Sequence, residues 1–158
     1  PNVHVVAGDY DDANLTFPET RVLQVGAFRV GVIHGHQILP WQSSEARERV
    51  RRKLNVDILI TGHSHQNEVS VQNDAYYHIN PGSITGASSA LASEDGNVKP
   101  SFILLAVQDT KVVCYVYELA EGDEVQVSKT EFTKKSPSDP QAEAATAANA
   151  KLMASLLA

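Results

Sequence analysis

The sequence predicts a layered α/β sandwich. Many short β-rich runs are bounded by Gly, Pro and Asn/Asp clusters, and one amphipathic helical pattern lies among them. The polar clusters fall in the loops between these runs. A length of 158 residues fits one domain large enough to bury a core. With 42% hydrophobic and 20% charged residues, the composition argues against disorder over most of the chain.

Val3 to Ala7 reads as a short buried strand ended by Gly8, and the polar stretch 8–20 as a loop. Arg21–Val25 and Phe28–Ile33 read as a hairpin across Gly26-Ala27. His34–Gln42 is a loop. Ser43 and Ser44 are N-cap candidates for a helix whose apolar stripe is Ala46, Val50 and Leu54, with its charged residues on a solvated face. Asp57–Thr61 is a continuous apolar strand. Glu68–Val71 and Tyr76–Ile79 flank Asn73-Asp74, a hairpin signal. After a long loop over 84–100, Ser101–Val107, Lys111–Leu119 and Val125–Phe132 read as three antiparallel strands. Residues 1–135 are thus expected to form the domain. Residues 136–158 form a Pro/Ser linker, in which two close prolines forbid a helix, and an Ala-rich tail expected to be helical where ordered.

Thirteen Lys and Arg against nineteen Asp and Glu leave a net charge of −6, which disfavours general nucleic-acid binding. No apolar run approaches the ~20 residues that span a bilayer. The single cysteine, Cys114, excludes an internal disulfide, fits a reducing compartment and reads as a buried small residue within a strand. Pro1 is followed almost at once by an apolar run, so the chain is expected to start inside a domain truncated at its N-terminus.

The residues able to do chemistry stand beside predicted strand ends, where α/β sheets place their ligand sites. Asp9 follows the first run, His34 follows Ile33, and His63 and His65 follow Thr61-Gly62. Neutral imidazoles and carboxylates suit Zn, Mn or Fe. An extended His63-Ser64-His65 segment would point both rings to one side, within reach of two ions ~3.5–4 Å apart. His4 and His78 read as structural, and His36 is left open. Ile38, Leu39 and Trp41 form an apolar cluster around Pro40 that either caps the sandwich from outside or meets a partner. Leu104, Tyr115 and Tyr117 alternate on paired strands, as core or as a second patch.

The series Gly8-Asp9-Tyr10-Asp11, His34-Gly35-His36-Gln37, Gly62-His63-Ser64-His65 and Asn80-Pro81-Gly82-Ser83 resembles the calcineurin-like metallophosphoesterase family in order and spacing. The similarity runs from about Val3 to Lys135. The string from His34 to Trp41, with Gln37 and Pro40, is similar to the branch of that family that serves in the retromer sorting complex. The resemblance implies a metallophosphoesterase-like β-sandwich flanked by helices, with metals at the sheet ends. Asp9, His34 and His63 would hold one ion and His65 another, the cofactor being a divalent metal (Zn, Mn or Mg), weakly bound or absent. The family's opening Asp-x-His motif and its bridging Asp find no match here, so His65 would stand alone at the first metal and the sheet is expected to expose an edge.

Active members of the family read Gly-Asn-His-Asp or Gly-Asn-His-Glu where this chain has Gly8-Asp9-Tyr10-Asp11. The histidine expected to protonate the leaving alkoxide is therefore Tyr10. General acid catalysis is worth ~10²–10⁴-fold, and a phenol with a pKa near 10 is a weak acid for this task. The resemblance thus implies no catalytic residues and at most residual phosphoesterase activity. It implies a scaffold subunit of retromer in endosome-to-Golgi transport, cytoplasmic and peripheral on endosome membranes. The Ile38, Leu39 and Trp41 face would enter the retromer helical-solenoid subunit, and the Leu104, Tyr115 and Tyr117 patch would take regulators of endosomal GTPases. The alternatives are an active metal-dependent phosphodiesterase and a metal-binding domain with neither role.

Overall fold

The computed structural model describes residues 2–41, 43–72, 76–91 and 98–134. The elements run β1 (Thr20–Val25), β2 (Phe28–Ile33), α1 (Ser44–Leu54), β3 (Ile58–Ile60), β4 (Asn67–Gln72), β5 (Tyr76–Pro81), β6 (Ser101–Gln108), β7 (Lys111–Leu119) and β8 (Val125–Thr133). They build a five-stranded sheet in the order β1-β2-β3-β5-β4 and a three-stranded sheet in the order β6-β7-β8. The expected mixed α/β sandwich is what forms. The Asn73-Asp74 turn, the linker and the Ala-rich tail lie outside the described residues.

Alternation along the strands decides which side each residue faces. From the first sheet, Phe28, Val30, Ile58 and Ile79 point to the second sheet, meeting Val112, Cys114, Val116 and Phe132 in the central core. The opposite face carries Ile33, Leu59 and Tyr76, which pack under α1 against Ala46 and Val56. Cys114 is fully buried, as its setting in a strand suggests, and burial pushes its thiol pKa up. Gly31 lets the helix approach, because a Cβ there would crowd Val56 Cγ1 and Cγ2 at 3.1 Å.

The helix starts at one of the two serines the sequence offers as N-caps. Ser43 Oγ accepts from the Ala46 N–H at 3.1 Å, and Asn55 closes the helix in the left-handed region at φ 52°. Its charged side is less solvated than the pattern implies. Arg47 is only 14% exposed and Glu48 13%, because both lie over the first sheet rather than beyond it. Two strands lie parallel to their neighbours: β3 to β2, and β5 to β3. The carboxyl ends of β2, β3 and β5 therefore meet at one edge.

The first expected strand does not form. Val3 to Ala7 is not a strand, and Val3 is 72% exposed. Among the described residues no strand lies beside it, and its single backbone link is Ala7 N–H to Pro18 O at 2.9 Å. Without a neighbour, an apolar run cannot satisfy its backbone as a strand.

On the helix side of the sheet, Glu68 accepts from Ser70 Oγ at 2.8 Å. Its Oε1 also lies 3.5 Å from His78 Nδ1, and its Oε2 lies 3.5 Å from Arg47 Nη1. The His78 contact is foremost in holding the carboxyl down to about 2, with Ser70 and Arg47 helping against the opposing effect of burial. A carboxyl lowered on folding stabilises the fold above its ordinary value of 4.5, and that contribution fades as pH falls toward about 2. Glu68→Gln should therefore flatten the acid limb of stability between these values, as read by urea melts across that range. Leu59, fully buried beneath α1, sets the size of the second core. Leu59→Ala should cost about 2–5 kcal/mol in chemical denaturation.

Candidate metal centre

His34 leaves β2 and His63 leaves β3, so the parallel pairing of these strands sets the two imidazoles side by side, with ring centroids 5.3 Å apart. Asp9 reaches the same place from a turn. The Gly8 N–H donates to Asp11 Oδ2 at 2.7 Å, which shapes that turn. Asp9 Oδ1 is 3.4 Å from His34 Nδ1, and Asp9 Oδ2 is 3.5 Å from His63 Nδ1. One ligand atom from each residue lies within 4.8 Å of the others, a spacing that can hold a metal ion.

The donor set fits a divalent ion. Burial foremost holds the His34 pKa below its ordinary value; Asp9 pulls it up, while His36 and His63 push it down. The neutral ring that results is the form a metal binds. The other ring nitrogen of His63, Nε2, is buried and has no hydrogen-bond partner among the described residues. Asp9, His34 and His63 would hold the ion, which would supply Lewis-acid polarisation of a phosphoester oxygen.

His65 is not one of the three. It lines the same cavity of about 630 Å³, but its Nδ1–H donates to the Ala87 carbonyl at 2.7 Å. The expected extended His63-Ser64-His65 segment is not found: His63 has φ 65° and His65 φ 60°, both left-handed. The chain coils there instead of alternating, so the two rings are not displayed as strand neighbours. Asn80 secures the coil, its Nδ2 donating to Gly62 O at 3.0 Å and to Ser64 Oγ at 2.9 Å. At Gly82 (φ 80°) a Cβ would overlap Ser101 Oγ, which explains the glycine of the Asn80-Pro81-Gly82-Ser83 turn.

His36, left open by the sequence, stands against the site, with its Nδ1 3.0 Å from His34 Nδ1. His78 is structural as expected, 1% exposed, its Nε2 2.9 Å from Thr61 Oγ1. Tyr10 is 97% exposed beside the cavity.

The apolar loop divides. Ile38 is 3% exposed and belongs to the core under α1, which removes it from the expected docking residues. Leu39 is 65% exposed and Trp41 43%. The Trp41 Nε1–H donates to His36 O at 3.0 Å, and its ring meets His63 edge-on at 5.0 Å. The exposed pair therefore adjoins the triad.

Leu104, Tyr115 and Tyr117 share the outer face of the second sheet, where Leu104 pairs with Tyr115. Phe102, not foreseen, stacks on Tyr117 at 4.7 Å and 2°, and Val127 pairs with Tyr117 from β8. Phe102 and Val127 obey the same alternation, so extending it to the flanking strands would have found them.

Arg47 and Glu68 were also missed, since a helix arginine and a strand glutamate each look solvated alone. The signal was His78, a polar residue inside the apolar run Tyr76–Ile79, whose strand neighbours on the helix side must be polar as well.

The calcineurin-like phosphoesterase superfamily domain matches residues 2–110. The vacuolar protein sorting-associated protein 29 of Schizosaccharomyces pombe is 34% identical over 134 residues, covering 84% of this chain and 70% of that protein. The Vps29 structure from Cryptosporidium parvum is 44% identical with a TM-score of 0.77, covering 84% of this chain and 70% of that one. Wild-type Vps29 from Entamoeba histolytica, solved with Zn²⁺, is 43% identical with a TM-score of 0.76, covering 83% of this chain and 69% of that one. The ordered ligand motifs, the sandwich that gathers them and these likenesses agree: the chain belongs to the calcineurin-like phosphoesterase superfamily.

Proposed function

We propose that this chain is a non-catalytic scaffold subunit of retromer, acting in endosome-to-Golgi retrieval at the cytoplasmic face of endosomes. Likeness to Vps29 proteins over most of the chain supports the retromer assignment. The observation that carries the scaffold reading is the exposure of Leu39 and Trp41 beside the His34 and His63 imidazoles. Large apolar groups exposed together at a cavity mouth favour a protein partner over water. That partner is the helical-solenoid subunit.

The metal then serves geometry. Asp9, His34 and His63, bound to one ion, would fix the loops on either side of Trp41 and so reduce the ordering cost of docking. The Zn²⁺ in the Entamoeba histolytica Vps29 structure supports zinc as that ion. Tyr10, almost fully exposed, offers no efficient proton for a leaving alkoxide. His65, with its Nδ1 tied to a backbone carbonyl, retains Nε2 for a second ion. The outer face of the second sheet, with Leu104, Tyr115 and Tyr117, would take the regulators of endosomal GTPases. Residues 1–135 would suffice for these contacts, with 136–158 a separate linker and tail. Among the described residues no helix is long and apolar enough to cross a membrane, which is compatible with peripheral attachment.

The second reading, an active phosphodiesterase, is favoured by the intact Asp9, His34 and His63 group. Two measurements separate them. Leu39→Asp should abolish capture of the solenoid subunit in a pull-down while the melting temperature stays unchanged; retained capture would overturn the docking face. With Mn²⁺ and an aryl phosphodiester, the unaltered chain should turn over no faster than the metal-only blank, and Tyr10→His should raise the rate. Clear turnover without that substitution would overturn the scaffold reading.

A further inference from the structure

A second cavity of about 310 Å³, lined by His63 but not by Asp9 or His34, lies between α1 and the ends of β3, β4 and β5. Arg47, His63, Glu68 and His78 line it. Among the described residues, Arg47 Nε and His63 Nε2 are buried polar atoms without a hydrogen-bond partner, and His78 Nδ1 has only the 3.5 Å approach of Glu68 Oε1. Buried polar groups left unpaired cost about 1–3 kcal/mol each, so such a concentration calls for a common partner. The cavity is polar and has room for several waters at roughly 30 Å³ each.

The geometry at Asp9 decides what His63 needs there. Its Nδ1 faces Asp9 and would be the ligand atom. A nitrogen that binds metal carries no proton, so loading the site leaves the proton on Nε2 and makes it a donor. Metal-bound histidines almost always give that second N–H to a carboxylate, a carbonyl or water. Among the described residues, Glu68 is the only carboxylate lining this cavity. Ser70, Arg47 and His78 hold it from three directions. A charged acceptor makes a bond about twice as strong as a neutral one, which favours Glu68 over the Ser64 and Gln66 side chains nearby.

We infer that Glu68 is the positioning residue of the metal centre, receiving the His63 Nε2–H through water in this cavity. Arg47 and His78 orient Glu68 and touch neither the metal nor its ligands' coordinating atoms. The inference rests on the metal reading above, because only a loaded site fixes the proton on Nε2.

The test compares the full chain with Glu68→Gln by calorimetric Zn²⁺ titration. Loss of the carboxylate should weaken zinc binding ~10–100-fold, the usual effect of removing an outer partner. A folded Glu68→Gln chain binding Zn²⁺ within twofold of the unaltered one overturns the inference and leaves the metal reading standing. Failure of the unaltered chain to bind Zn²⁺ overturns both. A purely structural role is separated by NMR of the Zn²⁺-loaded protein. The His63 Nε2–H resonance, assigned with His63→Gln, should be sharp and slow to exchange in the unaltered chain and shifted in Glu68→Gln. This resonance also decides the matter if Glu68→Gln fails to fold: a His63 Nε2–H that exchanges with solvent as fast as an exposed imidazole overturns the inference in the unaltered protein alone.

Discussion

Gly62 joins the three chain crossings that make the site. Its N–H donates to His34 O at 2.7 Å, and its carbonyl accepts from Asn80 Nδ2 at 3.0 Å. The first bond ties the end of β2 to the end of β3, and the second ties β3 to β5. These strands are already parallel neighbours, so the first bond continues the backbone pairing past β2 and β3, and the second adds a side-chain clamp from β5. Ligands carried on the next residues arrive together for that reason. The arrangement depends on crossover connections, since α1 must pack over the sheet to return the chain to the same edge.

The cost of this arrangement is visible in the backbone. His63 and His65 both take left-handed conformations, which for residues other than glycine cost on the order of 1–3 kcal/mol each. The opposing gains are the two Gly62 bonds and the Asn80-to-Ser64 bond, each worth roughly 0.5–1.5 kcal/mol net. The two sums are comparable, so local hydrogen bonding alone does not hold the coil. The remainder comes from burial: Asn80, on β5, is 3% exposed, and Thr61, directly after β3, is 7% exposed. Strain of this kind persists where the surrounding structure over-determines it, and here it turns His63 toward Asp9.

Much of this was legible in the sequence because it depends on period and on punctuation. Phe28, Val30 and Ile58 alternate onto the sandwich face, and Ser43 opens a helix with an apolar stripe. Asp9, His34 and His63 are likewise readable, as the polar residues that follow apolar runs. What was not legible depends on neighbours in space. Val3 to Ala7 has the composition of a strand and, among the described residues, no strand beside it. The coil at His63-Ser64-His65 is imposed by Asn80, fifteen positions further on from His65. Ile38 and Leu39 are adjacent and equally apolar, yet only the fold decides that one is buried under α1 and the other faces out.

That division of Ile38 from Leu39 links the core to the surface. Ile38 shares its cluster with Ala46 and Leu59, so the loop cannot lift without exposing side chains that α1 and β3 bury. Trp41 is fastened at the other end, through His36 O and the edge of the His63 ring. Leu39 is therefore displayed on a segment fixed on both sides, one fixing point belonging to the hydrophobic core and the other to the imidazole cluster. A surface held in this way loses little freedom when it is covered, whereas a mobile loop would lose about 0.5–1.5 kcal/mol for each side chain ordered. The imidazole cluster thus contributes to the shape of the loop as well as to the cavity, since the His63 ring is one of the two groups that hold Trp41.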